Sequence, residues 1–176
     1  KVCLATGRHI TYLNEEISQF DKFDAYITMS GQGVYDSNKK LLYNKTLDDG
    51  DCIILKHLYE KKLFPIHLEY ANTSIVNYIG DTVRTANKIV NIRIPEIRDK
   101  ALAEPILMAV IYCNEREKKI LSQVFDKYRL TQWNEFGHDV IDKDTGKEYA
   151  VKYLLKKGGL ETKNAIAFGD SQNDIE

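Results

Sequence analysis

Three short apolar runs in this chain end in the same way, and that shared pattern narrows the fold more than any other feature. Val2-Cys3-Leu4-Ala5 leads into Thr6-Gly7-Arg8, Ala25-Tyr26-Ile27-Thr28-Met29 into Ser30-Gly31, and Ala165-Ile166-Ala167-Phe168 into Gly169-Asp170. Apolar runs without alternation suit strands buried on both faces, as in a parallel sheet covered by helices. Each run ends on hydroxyls, glycines or acids, and the carboxyl edge of an open α/β sheet is where ligands bind. A helical pattern over about 9–20 follows the first run, and another over 147–157 precedes the third. One flank of an α/β core is thus written at each end of the chain.

The middle has a different rhythm. "GVYDSNKKLLYN" reads as a hairpin with Asp36-Ser37-Asn38 at its turn, and an amphipathic helix starts near Asp48. Strands are expected near 65–70, 74–79, 106–113 and 130–136, with helices near 81–91 and from Glu115 to about Tyr128. The alternation predicts a separate α+β domain over 37–137, inserted into a core made of 1–36 and 138–176. The chain opens at Lys1 inside a strand-like run and closes at Glu176 where a helix should begin. Both ends are expected to be cut from a longer protein.

Composition excludes several function classes. The net charge is -1, with no strong charge block in either half, which argues against a nucleic-acid-binding or membrane-binding face. No apolar run approaches the roughly 20 residues needed to span a bilayer. Cys3, Cys52 and Cys113 are far apart and form no CxxC, so they read as buried thiols in a reducing, cytoplasmic setting.

The closing stretch "GDSQND" has two readings that overlap. Ser171 and Asp174 fit a helix N-terminus with a capping box. That leaves Asp170 unexplained, at the tip of an apolar strand. Asp170 and Asp174, four apart across a tight turn, can bring two carboxylates to one point, and Mg²⁺ takes such oxygens together with waters and substrate phosphate. In "GKEYAVKYLLKKG" the apolar stripe is Ala150, Val151, Leu154 and Leu155, and Lys147 falls near its centre. A cation there also opposes the helix dipole, which suggests an anionic partner; the alternative is a stem that snorkels outward. Thr6-Gly7-Arg8 could direct donors at a phosphate oxygen, or could simply cap a helix after a glycine-assisted turn.

Taken in order, these elements resemble the haloacid-dehalogenase-like (HAD) phosphatases, and more narrowly the Cof-type members with a type IIB cap. "ATGR" at 5–8 matches that family's "TGR", "YITMSGQG" at 26–33 its strand and turn near the cap junction, and Lys147 its post-cap lysine. Gly169 to Asp174 match "GDxxND" throughout. The resemblance implies a HAD-like Rossmannoid parallel-sheet core with an inserted α+β cap. It implies Mg²⁺-dependent hydrolysis of a small phosphorylated metabolite, such as a sugar phosphate, through an aspartyl-phosphate intermediate. Thr6 and Lys147 would act on the phosphoryl group, and Asp170 and Asp174 would hold the metal. Gly7, Arg8, Ser30, Gly31 and Asn173 would contact substrate.

Two departures stand out. Ser30 and Gln32 occupy positions where the family pattern has asparagine and alanine. The nucleophile motif "DxDxT" is absent and would lie upstream of Lys1, so residues 1–176 alone are expected to be inactive. Asp49-Gly50-Asp51 starts a helix and Asp142-Lys143-Asp144 reads as a turn, so neither substitutes for it. A non-catalytic HAD-like binding or regulatory protein is the competing expectation, to be decided by that upstream strand. A dinucleotide fingerprint fails because Asp36 stands where the third glycine is wanted, and a P-loop fails at Ile141 and Glu148. Nothing in the sequence indicates an oligomeric state.

Overall fold

The computed structural model describes residues 1–13, 23–169 and 174. The chain divides into two units, the first made of Lys1–Lys45 and Asp144–Glu176, the second of Thr46–Lys143. The fold is α/β, with one sheet in each unit.

In the first unit four strands lie side by side in chain order: β1 (Cys3–Ala5), β2 (Ala25–Thr28), β3 (Gly33–Asp36) and β4 (Leu41–Asn44). β1 and β2 are parallel, and the other two ladders are antiparallel. The hairpin 33–44 therefore belongs to the first sheet, whereas the sequence suggested an insertion starting at residue 37. Asp36 closes its turn, its Oδ1 accepting from the main-chain N–H groups of Asn38 and Lys40, both at 2.9 Å. That single carboxylate satisfies two donors that no ladder reaches.

Two of the three apolar runs depart from the buried-strand expectation. β2 is buried along most of its length, but β1 leaves Cys3 exposed. Residues 165–168 form no strand, and Ile166 and Phe168 are 85% and 94% exposed. The cause is pairing. Among the described residues β1 ladders only with β2 and 165–168 ladders with no strand, so neither run gains the neighbours that would shield its side chains. The helix expected over 9–20 shows a short 3₁₀ turn at Ile10–Tyr12, capped by His9, whose Nδ1 accepts from the Thr11 N–H. The rest of it lies outside the described residues.

The second unit holds a six-stranded sheet and three helices among its described residues. Its strands are β5 (Ile66–Glu69), β6 (Ser74–Val76), β7 (Glu96–Ile97), β8 (Met108–Tyr112), β9 (Tyr128–Gln132) and β10 (Gly137–Asp142). They run in the order β7-β6-β5-β8-β10-β9. The helices are α1 (Asp49–Glu60), α2 (Asp81–Ile89) and α3 (Glu115–Val124). Sequence patterning anticipated every helix here, while β7 and β10 were missed. The sequence reading assigned residues from 138 onward to the returning core, but β10 pairs with β8 and β9 and so extends the second unit to Lys143.

Alternation along the strands splits this sheet into two unlike faces. Ile66, Leu68, Ala109, Ile111 and Val140 point one way, into a core with Leu55 and Tyr59 of α1 and Leu121 of α3. His67, Glu69, Val110 and Asp139 point the other way, and all four are buried.

Candidate active site

The polar ends of β1 and β2 meet in one clasp. The Thr6 N–H donates to Ile27 O at 2.9 Å, the Ser30 N–H to Thr6 O at 3.2 Å, and the Met29 N–H to Arg8 O at 3.1 Å. The Arg8 N–H donates to Thr6 Oγ1 at 3.2 Å, so the threonine hydroxyl keeps its own proton for another acceptor. A Cβ on Gly7 would lie 3.3 Å from Ser30 Oγ, which puts the two segments in side-chain contact distance.

The turn after β2 is strained. Met29, Ser30 and Gly31 have φ of 51°, 53° and 100°, a left-handed run that costs energy at the two non-glycine positions. The strain brings Gly31 against the chain returning from the second unit. A Cβ at Gly31 would sit 2.1 Å from Gly146 O and 2.8 Å from Lys147 N, so only glycine allows this approach. Lys147 then opens α4 (Lys147–Lys157), whose Ala150 packs with Ile27 and Val34 of the sheet.

Lys147 Nζ donates to Asp174 Oδ1 at 2.5 Å, with the two side chains only 13% and 20% exposed. A Cβ on Gly169 would lie 2.3 Å from Asp174 Cβ, so a side chain at 169 would collide with Asp174 where it stands. The first unit therefore brings Thr6, Gly7, Arg8, Ser30, Gly31, Lys147 and Asp174 into one connected series of contacts. Asp170 and Asn173, also expected at the site, lie outside the described residues. Among the described residues no group of three or more His, Cys, Asp or Glu side chains could hold a metal ion. Asp174 offers the hard carboxylate oxygen that Mg²⁺ prefers, so the chemistry of this donor fits.

Sequence reading missed a second titratable cluster, on the polar face of the sheet in the second unit. His67 Nε2 lies 3.7 Å from Glu69 Oε1, and both side chains are buried. Burial first, and then the Asp139 charge, pushes the Glu69 carboxyl well above its ordinary value. Burial raises Asp139 to about 7, partly offset by a hydrogen bond from Trp133. An aspartate inside the apolar stretch "HDVI" was the available signal.

A family model described as haloacid dehalogenase-like hydrolase matches residues 1–176. A protein named "Putative phosphatase" from Buchnera aphidicola subsp. Baizongia pistaciae is 24% identical, over 98% of this chain and 68% of the relative. Another bearing that name, from Streptococcus pyogenes serotype M6, is 28% identical over 98% of this chain and 69% of its own. Among solved structures, that of the HAD subclass IIB sugar phosphatase BT4131 superposes with a TM-score of 0.84 at 20% identity. That match covers 99% of this chain and 69% of the other. At that identity the likeness is one of fold.

Proposed function

The chain belongs to the haloacid dehalogenase-like hydrolases, and on that premise we propose that the protein is a Mg²⁺-dependent phosphatase acting on small phosphate monoesters, sugar phosphates in particular. One observation carries the proposal: a partly buried lysine at a helix start, ion-paired to Asp174 and held by Gly31 beside the Thr6–Arg8 loop. A cation in that position suits an anionic ligand with several oxygens. The names of the two relatives support phosphatase chemistry, and the fold shared with a sugar phosphatase, BT4131, supports a sugar phosphate as the substrate class.

In this reading the phosphoryl group sits between the loop and the helix start. The Thr6 hydroxyl, accepting from the Arg8 N–H, donates its proton to a non-bridging oxygen. Lys147 neutralises charge on the same group as it builds toward the transition state, while Asp174 holds the ammonium in place. Gly7, Arg8, Ser30 and Gly31 shape the pocket wall, and Asn173 contacts the phosphate or its neighbours. Asp170 and Asp174 would hold Mg²⁺, which when bound supplies further positive charge to the phosphoryl oxygens. The nucleophile would be a carboxylate from outside residues 1–176. It attacks phosphorus, the ester P–O bond breaks, the leaving oxygen takes up a proton, and water then releases phosphate from the acyl phosphate. The second unit would act as a cap that excludes water and selects the leaving group. Three free cysteines suit a reducing, cytoplasmic compartment.

The test is hydrolysis of p-nitrophenyl phosphate and a panel of sugar phosphates by the full-length protein. Activity should require Mg²⁺, vanish in EDTA and return when Mg²⁺ is restored. Unchanged turnover in EDTA would remove the metal from the account.

A further inference from the structure

We propose that Gln32 and Thr145 are positioning residues that tie both passages of the chain between its two units to the placement of Lys147. The inference rests on the role given to Lys147 above. Gln32 is wholly buried, directly after the strained turn at Ser30 and Gly31. Its main-chain oxygen accepts from the Lys45 N–H at 2.9 Å, and Lys45 is the last residue of the first unit before the chain leaves for the second. Its side-chain Oε1 accepts from Thr145 Oγ1 at 3.1 Å, and Thr145 is the second residue after the chain returns. One residue thus holds the outgoing and the returning segments, which are far apart in sequence.

The geometry makes that hold consequential. Thr145 is 2% exposed, and it precedes the Gly146–Lys147 peptide that Gly31 packs against. A shift of the main chain at Thr145 moves the start of α4 and with it the Lys147 ammonium. Displacement of a phosphoryl-binding group by about 1 Å can cost up to about 100-fold in rate. A buried amide and a buried hydroxyl each lose hydrogen bonds to water on folding, so an apolar pair of the same shape would pack there at less cost. The polar pair provides direction instead: the hydrogen bond fixes one register of the returning chain against the turn after β2. Through the Lys45 N–H the same glutamine fixes the outgoing chain as well. Strain at Met29 and Ser30 is sustained by these contacts on either side.

The experiment compares Thr145→Val, which keeps shape and removes the hydroxyl, with Thr145→Ser, which keeps the hydroxyl. With p-nitrophenyl phosphate and Mg²⁺, the valine variant of the full-length protein should lose about tenfold in kcat, with KM within about twofold. The serine variant should recover to within about twofold of the parent. A valine variant with unchanged kcat, or a serine variant as impaired as valine, overturns the proposal. Amide hydrogen exchange supplies a readout that needs no turnover. Thr145→Val should speed exchange at the Lys45 N–H, which is bonded to the same glutamine, and unchanged exchange there overturns the coupling. A parent protein that hydrolyses no phosphate ester counts against the proposed function, while the exchange result still decides the positioning role.

Discussion

Gly31 packs against the peptide from which Lys147 opens α4. A lysine in the first turn of a helix meets the positive end of the dipole, which costs a few tenths of a kcal/mol or more. Here Asp174 offsets that cost at 2.5 Å. Gly31 allows the arrangement because any side chain would collide with the Gly146 carbonyl. Gly31→Ala should therefore lower stability by about 2–4 kcal/mol, from the positive φ and the overlap together. Urea unfolding of the parent and the variant measures this, and a loss under about 1 kcal/mol would mean the turn relaxes freely. Lys147 stands out in the sequence because its position on the apolar stripe breaks the pattern. The approach of Gly31 to Gly146 does not, because local periodicity carries no information about residues so far apart.

At the scale of elements, the sheet of the second unit separates an apolar face from a polar one. The polar face carries a pH dependence whose sign follows from Asp139. Its carboxyl is raised to about 7 in the fold, chiefly by burial, with the Trp133 hydrogen bond opposing. The protonated acid is therefore favoured in the folded state, and stability present at acid pH falls as pH rises through 7 and Asp139 ionises. Glu69, the acidic neighbour on the same face, shifts in the same direction and adds to the slope, and His67 lies against Glu69. Asp139→Asn should flatten the fall in unfolding free energy between about pH 5 and about pH 8. An equally steep fall in the variant would place the titration elsewhere. Helices α1 and α3 each carry a side-chain cap, at Asp48 and Asn114, whereas α2 starts after Gly80 without one and was readable from its pattern alone. Asn114, for instance, caps α3 through the N–H groups of Arg116 and Glu117 at 3.0 Å, with Glu117 bonded back to the Asn114 N–H. β10 was misassigned, and the strand expected at 165–168 is absent, for the same physical reason. A strand is defined by its partner, and an apolar run does not name the partner.

Over the whole molecule, the second unit interrupts the first in sequence and owns its core. Every residue of that core, from Leu47 to Val140, comes from within Thr46–Lys143. An excised 46–143 segment should therefore unfold cooperatively in urea with near-UV circular dichroism typical of packed aromatics. A molten or unfolded segment would show that its core depends on the first unit. The sequence suggested an inserted domain over 37–137; the second unit spans Thr46–Lys143, because the first hairpin and β10 each join the sheet on the other side of those limits. The residues proposed for the site come from the strand ends and returning helix of the first unit, and the purpose proposed for them rests on Lys147. The most direct measurement is kcat/KM of the full-length protein and its Lys147→Ala variant on p-nitrophenyl phosphate with Mg²⁺, both folded by circular dichroism. The account predicts a loss of about 10²–10³-fold in the variant; activity within about twofold of the parent would contradict it.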